Sequence, residues 1–82
     1  MSLVVFSRHA QRRMKLYNIS PQDVIQIVDE FFSASIEKSG RYETLSDLHR
    51  EKHRHPLKVV FEKVDDKIII VTVYPLKKGR LL

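Results

Sequence analysis

The sequence predicts an α+β fold in which two N-terminal helices pack on a three- to four-stranded antiparallel sheet. Apolar residues recur at helical spacing after Ser20-Pro21, and two strand-like segments, 57–64 and 67–74, are separated by Asp65-Asp66. The first pattern is typical of an amphipathic helix that begins at a proline, and the second of a β-hairpin. Because 82 residues suit one domain with a single core, we expect one domain over residues 1–82.

Two helices are expected to follow one another near the N-terminus. Ser7 is placed to cap the first helix, over residues 8–17, and Asn18 suits the left-handed residue at its end. Ser20-Pro21 begin the second helix, which continues to about Phe32. Its expected apolar face consists of Val24, Ile27, Val28 and Phe31. Its expected solvent face consists of Asp23, Gln26, Asp29 and Glu30.

The remaining segments have the composition of strands. Residues 3–6 suit a short strand or an extended segment, and residues 33–39 a further strand. Gly40 permits a turn into a strand over residues 41–48. The Ile- and Val-rich last segment predicts a central strand, whose ladder we expect Pro75 to end.

Composition narrows the classes of function. Lys and Arg total 15 against 10 Asp and Glu, and the net charge of +5 favours nucleic acid first and an acidic protein second. Solubility alone would also account for a charge of this size. The absence of cysteine excludes a disulfide, a thiol nucleophile and a cysteine-ligated zinc. Because no segment approaches the roughly 18 apolar residues of a spanning helix and no signal-peptide pattern is present, we expect a cytoplasmic protein with no membrane partner.

The stretch FSRHAQRRM, residues 6–14, concentrates the candidate chemistry. On a helix, Ala10 and Met14 fall in the buried stripe, and His9 and Arg13 lie four residues apart on its rim. Imidazole is the commonest proton-transfer group near neutral pH, and a neighbouring guanidinium binds phosphate well. The pair is therefore a candidate acid–base site directed at a phosphate. The alternative is a histidine that only bonds a backbone carbonyl beside a solvated arginine.

Two residues with side-chain hydroxyl groups, Thr72 and Tyr74, lie near the end of the last predicted strand. Thr72 and Tyr74 are expected to share a strand face with Ile68 and Ile70, so that the apolar face opens there into a groove. Tyr74 would donate a proton or stack on a base, and Thr72 would contact the substrate. The alternative for Tyr74 is a ring that packs in the core with its hydroxyl at the edge.

Further cations are candidates for phosphate binding. We expect a basic loop over residues 49–56 and a basic tail over residues 76–82. The candidate substrate-binding cations are Arg41, Lys58, Arg50, Lys52 and Arg54, any of which could instead be only solvated. His49 and His53 would suit zinc only if their stretch were helical. Because neither cysteine nor a well-spaced carboxylate completes the set, we expect no metal site.

These segments together resemble a known family, the small prokaryotic domain of unknown function 4258. The resemblance extends from about Phe6 to Pro75 and rests on four motifs in order along the chain. The motifs are His9-Ala10 with Arg13-Met14, Ile19-Ser20 with Asp23-Val24, residues 56–61, and residues 71–75.

The family is similar in layout to RelE-type and BrnT ribonuclease toxins, which place two helices before an antiparallel sheet. The resemblance implies a metal-independent endoribonuclease of toxin–antitoxin type, without a cofactor, in which His9, Arg13 and Tyr74 act on free or ribosome-associated RNA. An antitoxin protein would then be its partner. Two other hypotheses stay open: a non-catalytic module that binds nucleic acid or an acidic protein, and a domain that forms a homodimer through a strand edge.

Overall fold

The computed structural model describes residues 3–33 and 38–76, which form a four-stranded sheet and three helices. The elements in order are β1 (Leu3–Phe6), α1 (Arg8–Tyr17), α2 (Pro21–Ser33), β2 (Gly40–Ser46), α3 (Arg50–His53), β3 (Leu57–Val64) and β4 (Lys67–Pro75). The strands lie in the order β1-β4-β3-β2. The predicted α+β class is therefore confirmed. None of the described helices is both long and apolar enough to cross a membrane.

The sheet is mixed, so the prediction of a wholly antiparallel sheet was wrong. β3 pairs antiparallel with both β2 and β4. In contrast, β1 pairs parallel with β4, with Val4 opposite Ile68. Parallel neighbours need a long crossover connection, and the helices, β2 and β3 all lie between these two strands. A strand therefore precedes the two helices and lies at one edge of the sheet.

Both long helices begin where the sequence predicts, because side chains cap them. The hydroxyl of Ser7 accepts a hydrogen bond from an α1 amide at 3.0 Å, and it donates one to a β4 carbonyl at 2.9 Å. Asn18 ends α1 in the left-handed conformation, with φ 58°. The hydroxyl of Ser20 accepts from the amide of Asp23 at 3.2 Å. Such contacts satisfy the backbone groups that a helix end leaves unpaired.

Two further predictions for segments need correction. Within the predicted strand 33–39, α2 continues through residue 33 and residues 38–39 are not in a strand. Residues 34–37 lie outside the described residues. The predicted basic loop 49–56 contains α3, a short helix held by its contact with α2. The predicted tail, 76–82, lies outside the described residues beyond its first residue.

The core lies between the two long helices and one face of the sheet. Its buried residues are Ala10, Met14, Ile19, Val24, Ile27, Val28 and Phe32 from the helical half, and Leu57, Val59, Phe61, Ile68, Ile70 and Val73 from β3 and β4. The ring of Phe61 stacks on Tyr42 with centroids 5.6 Å apart and meets Phe31 and Phe32 edge-on. Burial of this apolar surface is the main favourable contribution to folding.

A β-bulge interrupts the pairing of β3 with β4. Val60 lies opposite Thr72, whereas the next residue, Phe61, lies opposite Ile70. One residue of β4, Val71, is therefore unmatched. Because side chains alternate along a strand, an extra residue reverses the facing of every residue that follows.

The bulge determines where the last hydroxyl groups of β4 point. Ile68 and Ile70 face the helices before it, and Val73 faces them after it; all three are buried. Thr72 and Tyr74 consequently lie on the opposite face, which none of the described helices covers; we call it the uncovered face. The prediction that they share a face with Ile68 and Ile70 was wrong, because strict alternation takes no account of a bulge.

Candidate nucleic-acid interface

The α1 helix carries four cationic side chains and no acidic one. Ala10 and Met14 are buried, and this orientation leaves Arg8, Arg12 and Lys15 exposed on the outer side of the helix. Within residues 3–33 and 38–76, these three cations form no ion pair. Their positive charge is therefore available to a ligand.

His9 and Arg13 lie one turn apart on the same helix. His9 is exposed to solvent instead of lying at the rim of the core. Arg13 is half-buried, and its guanidinium donates to the hydroxyl of Tyr17 at 3.5 Å. The structure thus brings together the histidine and the cations of α1, while Arg13 is partly engaged with its own helix.

Tyr74 lies apart from this group. It stands opposite Lys58 in the β3–β4 ladder, on the uncovered face of the sheet with Thr72. Since α1 packs on the other face through Ala10 and Met14, the sheet separates Tyr74 from the side chains of α1.

The two cations predicted on strands are paired with carboxylates. Arg41 donates to Glu62, its direct neighbour across the ladder, at 3.3 Å. The ammonium of Lys58 lies 3.0 Å from Oε1 of Glu43, and this hydrogen bond raises the pKa of Lys58 above its usual value. These pairs reduce the charge that the uncovered face offers to a phosphate.

A groove of about 550 Å³ lies between α1 and the start of α2. Arg8, Arg12 and Lys15 border it, and Met14 and Ile19 contribute to its floor. A second groove, of about 320 Å³ between α2 and β2, is bordered by two carboxylates, those of residues 30 and 47. An anion therefore fits the first groove better than the second.

Asp23 forms a cluster that the sequence analysis missed. Its side chain is 12% exposed, and Oδ2 accepts a hydrogen bond from Nζ of Lys52 at 2.9 Å. Nε2 of His49 lies 3.7 Å from Oδ1, and Nε2 of His53 lies 3.7 Å from Oδ2. The prediction that Asp23 faces solvent was wrong. The sequence did contain one signal for the burial of Asp23. Asp23 lies four residues before Ile27, and this spacing places both residues on one side of α2.

The electrostatics of the cluster favour the ionised carboxylate. Burial alone raises the pKa of Asp23, but the hydrogen bond from Lys52 and the charges of His49 and Lys52 outweigh it and lower that pKa below 3.8. Both imidazole Nε2 atoms are buried without a hydrogen-bond partner among the described residues. Among residues 3–33 and 38–76, no three His, Cys, Asp or Glu side chains are grouped so that they could hold a metal ion. The cluster therefore anchors α3 on α2, and Lys52 is not a free cation.

The other two cations of the predicted loop are Arg54 and Arg50. Arg54 is exposed just after α3, with φ 67°. The side chain of Arg50 lies outside the described residues. Among the cations predicted to bind substrate, Arg54 is thus one that the structure leaves exposed and without an ion pair to a described residue.

One comparison with known proteins identifies the chain. The family model for a domain of unknown function, DUF4258, matches residues 6–75. The chain belongs to the DUF4258 family. No curated protein and no solved structure matches it significantly. The match to DUF4258 confirms the family resemblance seen in the sequence, and it includes all of α1, the groove and the Asp23 cluster.

Proposed function

We propose that this DUF4258 protein binds RNA through the outer side of α1. The observation that carries the proposal is the set of exposed cations Arg8, Arg12 and Lys15, which form no ion pair with described residues. Cations of this kind neutralise phosphates and release counterions, and the resulting affinity falls steeply with salt. Cytoplasmic RNA is the proposed ligand.

The test is the affinity for a single-stranded RNA oligonucleotide, measured at several salt concentrations. The double substitution Arg8→Gln and Arg12→Gln is expected to weaken binding about tenfold or more. It should also reduce the slope of log affinity against log salt concentration by about 1.4, since each phosphate contact contributes about 0.7. The double substitution Arg41→Gln and Lys58→Gln is the matched control, because it also removes two charges and both cations are already paired with carboxylates. Equal losses in the two proteins would show that net charge alone governs binding.

RNA cleavage without a metal is a second candidate function, favoured by the position of His9. His9 is exposed on α1 beside Arg8, with Arg12 and Arg13 one turn farther along the helix. In this proposal the imidazole takes the proton of a ribose 2′-hydroxyl, whose oxygen attacks the adjacent phosphorus. The bond from phosphorus to the 5′-oxygen breaks, the imidazolium gives its proton to that oxygen, and the arginines stabilise the charge on the phosphate. The two helices on one sheet face support a RelE/BrnT-like toxin with an antitoxin partner, although the parallel β1 departs from that layout.

Cleavage of RNA in EDTA, with and without ribosomes, separates the two candidates. A ribonuclease is expected to lose at least about a hundredfold in rate on His9→Ala, in line with the usual contribution of acid–base catalysis, while RNA binding is retained. Tyr74→Phe tests the predicted catalytic tyrosine in the same assay. If the wild-type protein leaves RNA intact while binding it, the binding function stands and the catalytic one falls.

A further inference from the structure

We propose that the groove between α1 and the start of α2 holds one unstacked RNA base, so that single-stranded RNA is the ligand and duplex RNA is not. This inference rests on the proposed RNA-binding function and adds the strand type and the subsite. Its basis is the shape of the groove, the chemistry of its walls and the fixed geometry of the corner between the helices.

The size of the groove suits a small planar group. Its volume, about 550 Å³, falls within the range of about 300–1,000 Å³ that is usual for small-ligand sites. A base in a duplex is stacked and paired, so it cannot enter a concave site of this kind. A base in a single strand can turn out of the strand and enter, which is the common mode of RNA recognition.

The walls of the groove offer three kinds of contact to a nucleotide. The guanidinium of Arg12 is an exposed flat group against which a base can stack, and the exposed ring of Pro21 adds apolar surface beside it. Met14 and Ile19 are almost fully buried and supply an apolar floor. Lys15 stands at the border as a cation for the adjoining phosphate.

Asn18 supplies the group that would read the edge of the base. Its backbone N–H already bonds to carbonyls of α1, but its side-chain amide forms no hydrogen bond with a described residue. The other amide at the groove, that of Gln11, donates to the carbonyl of Phe6 at 3.0 Å. Asn18 is therefore a side chain at the groove whose whole amide, donors and acceptor alike, is free of hydrogen bonds to described residues.

The corner that forms the groove is held in place from both sides. The amide of Ile19 donates to the carbonyl of Met14 at 2.8 Å, which fixes the chain as it leaves α1. Asp23, in the first turn of α2, is held by Lys52 of α3. Because the groove is formed before the ligand arrives, little ordering cost is expected on binding.

The experiment compares one oligonucleotide as a single strand and as a duplex, at one salt concentration, with the wild-type protein and Asn18→Gly. Glycine accepts the left-handed conformation of Asn18 and removes its side chain, and with it the amide. Gln26→Ala is the control, since it removes an exposed amide of α2 outside the groove. Circular dichroism and thermal unfolding establish that each variant is folded.

We expect the wild-type protein to bind the single strand at least tenfold more tightly than the duplex. Asn18→Gly should weaken binding of the single strand at least threefold without changing binding of the duplex, and Gln26→Ala should change neither. Equal affinity for the two forms, or an Asn18→Gly protein that binds like the wild type, overturns the subsite while RNA binding by α1 stands. If neither form binds, the proposed function fails, and the subsite fails with it.

Discussion

Asp23 of α2 accepts a hydrogen bond from Lys52 of α3, with Oδ2 and Nζ 2.9 Å apart. His49 and His53 lie beside the same carboxylate, so one acidic side chain is surrounded by three nitrogen-bearing groups. A four-residue helix is too short to be stable alone, and its position depends on contacts with the rest of the fold. Asp23 is therefore the residue that we expect to hold α3 in place.

Replacing Asp23 by asparagine should destabilise the protein by about 1–2 kcal/mol. The substitution keeps the size of the side chain and removes its charge, and hydrogen bonds between charged groups contribute about 1.5–3 kcal/mol. We expect a value around the lower end of that range or just below it, because the side chain of Lys52 is 56% exposed and its charge is screened. Urea unfolding measures the change. Asp29→Asn, on the exposed side of α2, should change stability by less than about 0.5 kcal/mol, and equal effects would refute the role of Asp23.

The stabilising effect of Asp23 should disappear in acid. Folding lowers the pKa of this carboxyl below its value of 3.8, so its contribution is fully present above that value and is lost as the pH falls through the lower, folded value. The free energies of unfolding of the wild type and of Asp23→Asn should therefore converge below about pH 4. Denaturant titrations between pH 6 and pH 2 test this. A difference that stays constant over the whole range would contradict the sign of the shift.

Asn18 should tolerate glycine and reject a β-branched residue. Its φ of 58° is accessible to glycine and asparagine at little cost, whereas other residues lose about 1–2 kcal/mol in the left-handed region. We expect Asn18→Gly to unfold near the wild-type temperature and Asn18→Val to be destabilised by about that amount. Thermal unfolding followed by circular dichroism gives both values. Similar losses in the two variants would point to a role for the amide in stability.

Because of the bulge, alanine substitutions at two adjacent residues of β4 should have unequal effects on stability. Val73 is fully buried beneath the helices, and Val73→Ala should cost about 2 kcal/mol through the cavity that it leaves. Thr72 lies on the uncovered face, and Thr72→Ala should cost less than about 1 kcal/mol. Chemical denaturation of both variants compares them directly. The reverse order would place Thr72 towards the core and contradict the register described for β3 and β4.

Local patterns were sufficient to predict the two long helices and the hairpin. The caps at Ser7, Asn18 and Ser20 act within a few residues of themselves, so the sequence contains the information needed to place both helix ends. The turn at Asp65-Asp66 is equally local. The exposed side of α1 was also predicted, since the spacing of Ala10 and Met14 determines which side of the helix faces solvent.

What the sequence did not reveal depends on contacts between distant segments. The burial of Asp23 requires α3, which follows it by almost thirty residues and looked like a basic loop. The face of the sheet on which Tyr74 lies depends on one unmatched residue of β4, and the alternation of side chains along a strand cannot reveal such a residue. The pairing of Arg41 with Glu62 depends on the register between β2 and β3. These three features of the structure explain why the predicted cations and the tyrosine did not form one site.

The parallel pairing of β1 with β4 also has a consequence for how the chain folds during its synthesis. The hydroxyl of Ser7 reaches the carbonyl of Val71, 64 residues later, and among the described strands β1 pairs with β4 alone. β1 leaves the translation machinery before β4, and it must therefore wait for β4 before it can pair. Contacts of such long range make folding slow, because the intervening chain must be closed into a loop first. A nascent chain that ends before Lys67 lacks the strand that joins β1 to β3, and so it cannot complete the sheet.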